Sequence, residues 1–308
     1  MKLGYPVISH ILSSQGITPY RKMEGSLEEN ALTFYQNLKD LQKTLLWNEE
    51  KGIKFYRLSN TLAHKDIGVF SHNEHVKTLL NEIGNFCREN NHRLSFHCSH
   101  YAVLGSPKPL VRFNARKEIE SQSEFFDLLG YKATHWNKIN IHIGGAYGDK
   151  AKSIDNWIES WDKLSPSAKS RLVVENDDKP SLFSVDYLYK NLHEVIGIPI
   201  TFDSFHHEFC NVGESKEEAA KLAASTWGEI EPCFHFASSR NIYESSSKIT
   251  AHADWIYEEV QDWGTNAWIM IESAARDMAL LNYLSTGIGN PNGIQILNDQ
   301  TLNLFLND

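Results

Sequence analysis

The chain has 308 residues, 41% of them hydrophobic, which suits one large domain or two ordinary ones around a sizeable core. Its formal net charge of -9 excludes a generally adhesive nucleic-acid binder, yet bound cations or a basic rim can reverse the sign at one focused face. A spanning helix would need about 20 apolar residues, Met1 to Pro6 lacks a secretory core, and Cys87, Cys98, Cys210 and Cys233 form no CxxC pair, so a cytoplasmic protein without a zinc-thiolate site is expected.

Strand-like runs occur near 2–8, 53–59, 93–98, 138–143, 171–176, 198–204, 233–238 and 267–272. After the first comes a polar loop, Leu12 to Gly25, of the kind that contacts substrate. Leu27, Ala31, Phe34, Leu38, Leu41 and Leu45 then recur at steps of three and four and define one helix face. Ser26 with Glu29 predicts a capping box at its start, and Gly52 predicts its end. Leu79, Ile83 and Phe86 repeat the pattern, as do Phe125, Phe126 and Leu129 before Gly130. Strand–helix units in this number predict a single (β/α)8 TIM barrel over 1–308. A doubly wound open sheet is the alternative, but no GxGxxG follows the first strand.

In a barrel the C-terminal strand ends meet on one face. Tyr5 falls late in the first run, His97 ends the third, His142 the fourth, Glu175 the fifth and Asp203 the sixth. His206 follows, His235 lies on the seventh, His252 in the connection after it, and Glu272 ends the eighth. Ionisable groups inside apolar runs are costly unless paired or metal-bound. A His/Asp/Glu set without thiolate suits Zn2+, Mn2+ or Fe2+. So many ligands exceed the needs of one ion and suit a cluster, with Glu175 near its centre bridging two ions. His64, His72, His75, His92, His135 and His193 read as loop or helix residues, His207 as a supporting residue, and Cys98 and Cys233 as small core residues.

These residues carry a family resemblance. Leu3-Gly4-Tyr5-Pro6, Phe55-Tyr56-Arg57-Leu58-Ser59, His97 through Tyr101 with Gly105-Ser106-Pro107, and His142-Ile143-Gly144-Gly145-Ala146-Tyr147-Gly148 form the first part. Glu175-Asn176-Asp177, Asp203-Ser204-Phe205-His206-His207, His235-Phe236-Ala237-Ser238 and Met270-Ile271-Glu272 complete it. Over residues 3 to about 285 the chain resembles the ultraviolet damage endonucleases, whose barrel is related to the endonuclease IV type. The resemblance implies incision of double-stranded DNA immediately 5′ of cyclobutane dimers and 6-4 photoproducts, leaving a 3′ hydroxyl and a 5′ phosphate. It implies one metal on His97, His142 and Glu175, a second on Glu175, Asp203, His235 and Glu272, and a third on His206 and His252. Two or three divalent ions are expected, with Mn2+ the family's preference and Zn2+ or Mg2+ the alternatives. Glu175, Glu272 and Tyr5 are the expected catalytic residues. His100 and Tyr101 correspond to the family's Gln-Tyr pair, which fills the gap in the duplex. Tyr5, Lys108, Lys150 and the Gly144-Gly145 backbone are expected DNA contacts. In a prokaryote the protein would work at the nucleoid.

The chain departs from that pattern at Thr61, where relatives often carry a ligand, at Cys233, where they carry a lysine, and at Ala274 and Arg276, where they carry lysines. The rival readings are an abasic-site nuclease or sugar isomerase/epimerase on the same barrel, and a damage-binding protein with weak catalysis.

Overall fold

The computed structural model describes residues 2–289; Met1 and 290–308 of the expected 1–308 domain lie outside the described residues. Eight parallel strands, β1 (Lys2–Pro6), β2 (Phe55–Arg57), β3 (Arg93–His97), β4 (Ile139–His142), β5 (Leu172–Glu175), β6 (Ile200–Thr201), β7 (Cys233–Phe236) and β8 (Trp268–Ile271), run in the order β6-β5-β4-β3-β2-β1-β8-β7. Each falls inside its predicted run. The sheet closes through a parallel bridge between Asp203 and His235, with His235 N–H donating to the Phe202 carbonyl at 2.9 Å and Ser204 N–H to that of His235 at 3.2 Å. β6 is shorter than the predicted 198–204 because the chain leaves the sheet after Thr201 to make this seam. The result is the expected (β/α)8 barrel, with helices between the strands.

Alternation along the strands sorts side chains into two layers. Leu3, Tyr5, Tyr56, Phe96, Ile139 and Ile141 belong with Leu38, Leu41, Ile83 and Phe126 of the surrounding helices to one buried cluster. Phe55, Val173, Cys233, Trp268 and Met270, of opposite parity, form a separate cluster inside the barrel. Its floor is unusual. Arg93 is fully buried, and its guanidinium lies 4.6 Å from the Trp136 ring and 5.7 Å from those of Trp227 and Trp268. It donates to the carbonyls of Trp136 and Glu231, both at 2.8 Å.

The helix Leu27–Glu50 carries the capping box of Ser26 and Glu29 and ends before Gly52, whose φ of +71 needs no Cβ. The loop before it is less free than its composition suggested. Leu12 is buried in the short helix His10–Ser14, and Asp40 accepts from Thr18 N–H at 3.1 Å and from the Arg21 guanidinium at 2.6 Å.

At Gly4 β1 and β2 approach so closely that a Cβ would stand 2.2 Å from the Phe55 carbonyl oxygen. No side-chain rotation relieves a clash with backbone. Gly4→Ala is therefore expected to part the two strands, costing roughly 3 kcal/mol or more, in line with severe overpacking. Denaturant unfolding checks this; a midpoint within error of the parent would refute the tight approach.

Candidate metal centre at the barrel mouth

The lumen-facing parity of each strand decides which residues meet at the mouth. On β4 and the residue before it, Lys138, Asn140 and His142 alternate with Ile139 and Ile141, so the polar three line the barrel and the isoleucines face the helices. Three groups of potential ligands result, each with its donor atoms within 4.8 Å of one another: His97, His142 and Glu175; Glu175, Asp203 and His206; and Asp203, His235 and Glu272. Glu175 is shared by the first two and Asp203 by the last two. Glu175 Oε2 lies 3.1 Å from His97 Nε2 and 3.5 Å from His142 Nε2, while Oε1 lies 2.9 Å from His235 Nδ1 and 3.5 Å from His206 Nδ1. One carboxylate thus faces imidazoles from four loop and strand ends. His252 sits beside the set, its ring centroid 6.2 Å from that of His206 and its Nδ1 3.1 Å from the Glu272 carbonyl.

Charge at the mouth is balanced by cations that the sequence alone did not single out. Arg57 donates to Glu272 and stands 3.2 Å from His235 Nε2. Lys138 is buried, with Nζ 2.9 Å from His235 Nε2, 3.0 Å from the Thr201 hydroxyl and 3.1 Å from Asn140 Oδ1. Lys138, the residue before β4, thus brings an ammonium to His235 on β7. Burial lowers Lys138 to about 8 and drives His235 down to about 3. His235 is therefore neutral at pH 7; its Nε2 accepts from Lys138 and its Nδ1–H donates to Glu175. Burial pushes Glu175 up, but the charge of His142 and the hydrogen bonds from His235 and His97 outweigh it and hold the carboxyl well below the usual range. Glu272 behaves alike: the Arg57 guanidinium overcomes burial. Asp203 differs, because burial there outweighs His206 and its carboxyl is raised.

The donor set fits divalent cations. Asp203 Oδ1 accepts the Phe205 and His206 amides, both at 2.8 Å, whereas the buried Oδ2 has no hydrogen-bond partner. A buried carboxylate oxygen without a donor, set among imidazoles and two further carboxylates, calls for a cation. Asp177, two residues after Glu175, lies with Oδ1 3.1 Å from His142 Nδ1, the placement of a carboxylate that orients a ligating imidazole.

That pair yields a pH prediction. Burial lowers His142, but Glu175 and Asp177 prevail and raise it from 6.5 to about 10. Without ions its stabilising contribution is complete below 6.5 and is lost as the pH rises through about 10. Ligation needs the neutral imidazole, so a metal must displace this proton. Apparent Mn2+ affinity is expected to rise up to about tenfold per pH unit between about pH 7 and 9, with proton release in calorimetry. A flat profile would remove His142 from the ligand set.

Two cavities open on the centre. One, of about 550 Å³, is lined by His97, His142, His206, Gly144 and Gly145. The other, of about 520 Å³, is lined by Arg57, Asn60, Thr61, His97 and Glu272. His100 lines both, so its loop divides the mouth, and Tyr101, 76% exposed, packs on the His100 ring at 3.9 Å between centroids.

Two expected contacts lie elsewhere. Tyr5 has the outward parity of β1; it is fully buried against Tyr56 and donates to Asn48 Oδ1 at 2.8 Å, turned away from the ligand groups at the mouth. Lys150 donates to the Leu182 carbonyl and lies 5.2 Å from the Tyr187 ring, which engages its ammonium within the protein. Lys108 is exposed at the start of the helix Pro109–Leu128. Two of the histidines expected to play no part in the site pack inside the protein: His92 is buried 2.7 Å from Glu49, and His135, driven down to about 4 by burial, packs on Trp227.

A parallel eight-stranded barrel whose strand ends gather three carboxylates and several imidazoles defines a barrel protein with a candidate divalent-metal site at its mouth. Comparison with known proteins narrows this. Residues 6–302 match the family described as UV-endonuclease UvdE. A UV DNA damage endonuclease of Bacillus cereus is 31% identical over 314 residues, spanning 92% of this chain and 93% of the relative. One from Clostridium perfringens is 32% identical over 82% of this chain and 62% of its own length. The crystal structure of SacUVDE superposes with a TM-score of 0.80 at 29% identity, covering 91% of this chain and 96% of that one. The chain belongs to the UV DNA damage endonuclease family. A D-psicose 3-epimerase from Clostridium cellulolyticum, at 14% identity and a TM-score of 0.55, shares the fold alone.

Proposed function

We propose that this protein is a DNA-repair endonuclease that incises duplex DNA immediately 5′ of cyclobutane pyrimidine dimers and 6-4 photoproducts, leaving a 3′ hydroxyl and a 5′ phosphate, in the cytoplasm at the chromosomal DNA. The observation that carries the reading is that exposed His100, with the Tyr101 ring packed on it, lines two cavities that both reach ligands of the Glu175-centred cluster. A photodimer pairs and stacks poorly, so it is cheaper to extrude than normal bases. Two adjacent rings offer stacking surface to the duplex that is left behind.

Two or three divalent ions, Mn2+ in the first instance, would be held by His97, His142 and Glu175, by Glu175, Asp203, His235 and Glu272, and by His206 with His252. Such ions lower the pKa of water and offset negative charge on a phosphoryl group. The protein's own residues do the placing. Glu175 fixes the spacing of the imidazoles around it. Arg57, next to Glu272, and Lys138, next to His235, hold those side chains in single orientations. Asp177 does the same for His142. Gly144, with φ of +97 and a lining position in the larger cavity, presents backbone rather than side chain to a phosphate. Lys108 is the remaining candidate contact from the sequence.

The test is an end-labelled duplex with one cyclobutane dimer, incubated with protein and Mn2+, with and without EDTA. The expected result is a nick directly 5′ of the dimer, absent from undamaged duplex and from the EDTA lane. A folded, metal-loaded protein that makes no nick would sink the reading and direct attention to abasic DNA and then to sugars.

A further inference from the structure

We propose that a lateral groove beside the mouth seats backbone phosphates of the DNA that the site acts on; this rests on the nuclease reading above. The groove, of about 380 Å³, is lined by Lys22, Asn60, Thr61, His64, Lys65 and Lys117 among others. Asn60 and Thr61 also line the cavity that reaches Arg57, His97 and Glu272, so one trough runs from the metal centre outward.

Charge gives the trough its direction. This is an acidic chain, and many of its other lysines are neutralised locally: Lys54 by Glu49, Lys163 by Glu159, Lys216 by Glu208 and Lys221 by Glu217. Among the described residues Lys65 and Lys117 have no carboxylate within ion-pair distance, and Lys22 has only Glu24 at 3.7 Å, both largely exposed. Lys117 Nζ lies 4.6 Å from the Phe113 ring centroid, which steadies the ammonium without neutralising it. Of the two acids in the lining, Glu118 is turned to other donors: it accepts the Ser99 amide at 2.6 Å and the Ser99 hydroxyl at 2.8 Å. Asn60 Oδ1 accepts from Gln122 at 3.2 Å. What remains toward solvent is three ammonium groups against the single exposed carboxylate of Glu24, with amide and hydroxyl donors. Among the described residues no phenyl, phenol or indole ring lines the groove, and the His64 ring stacks on Phe70. Donors without a stacking surface suit phosphate, not bases.

The experiment compares the parent with the K22Q/K65Q/K117Q triple variant and with its K22R/K65R/K117R counterpart. Binding to an undamaged fluorescent duplex is followed by anisotropy across a salt series with Mn2+ present, and nicking of the dimer duplex is run in parallel. For the glutamine variant the log–log salt slope is expected to become shallower by about 0.9 for each phosphate no longer neutralised, so by roughly 2 to 3 in all. KM should rise with kcat unchanged, and the arginine variant should restore both. A K163Q/K216Q/K221Q control should leave the slope as in the parent. A glutamine variant with the parent's slope, or a parent that binds no duplex, overturns the groove. A parent that binds but never nicks overturns the nuclease reading instead, while the salt slope still decides the groove.

Discussion

Replacing Glu175 by glutamine is expected to reduce incision of dimer-containing duplex by at least about a thousandfold, equivalent to about 4 kcal/mol of barrier lowering. The side chain is buried, and its two oxygens face different imidazoles, His97 and His142 on one side and His235 and His206 on the other. An amide of the same shape keeps one oxygen, loses the charge, and turns an NH2 toward one of these sets. Both ligand groups that contain Glu175 are therefore damaged at once. The barrel should survive, because the carboxylate contributes no strand pairing and the amide fills its volume. The check is single-turnover nicking with a parallel measurement of Mn2+ content and circular dichroism. Activity above about a tenth of the parent's, in a variant that has lost bound metal, would separate the cluster from the chemistry.

The second large effect lies at the opposite end of the lumen. Arg93→Met is expected to lower stability by roughly 3 to 6 kcal/mol. Methionine fills much of the space but leaves the carbonyls of Trp136 and Glu231, and the more distant one of His135 at 3.4 Å, without their donor. Each buried acceptor left unpaired costs about 1–3 kcal/mol. For a chain of this size that corresponds to a fall in Tm of roughly 5–10 °C. Metal affinity and kcat should be unchanged, since the cage is on the floor of the barrel. A Tm within about 2 °C of the parent would mean that the indole rings alone hold the floor together.

Much of this was readable in the sequence because strand ends in a barrel are functionally equivalent positions. His97, His142, Glu175 and Glu272 were placed by counting to the end of a run, and the fold then brings them together. The capping box at Ser26 was readable because it needs only four consecutive residues. Strand position alone points Tyr5 to the mouth, but parity turns it away: residue 4 faces the lumen and residue 5 the helices. Parity would also have drawn attention to Lys138 and Asn140, which alternate with isoleucines in a segment that reads as a core strand. The pairing of Arg57 with Glu272 joins β2 to the end of β8 and has no local signal. Lys150 shows the reverse limit: a lysine after a glycine-rich loop reads as free, and only the fold reveals Leu182 and Tyr187 around it.

The seam between Asp203 and His235 bears on when the protein acquires its chemistry during synthesis. A nascent chain that has emerged through Asp203 already owns His97, His142, Glu175 and Asp203, but it lacks His235, Glu272 and the last two staves. β1, the first of the eight strands, waits for β8, the last of them, before it has its second neighbour. The set of candidate ligands is thus completed by the last two strands of the barrel. An unfinished polypeptide therefore carries only fragments of the candidate centre until the ring of strands has closed.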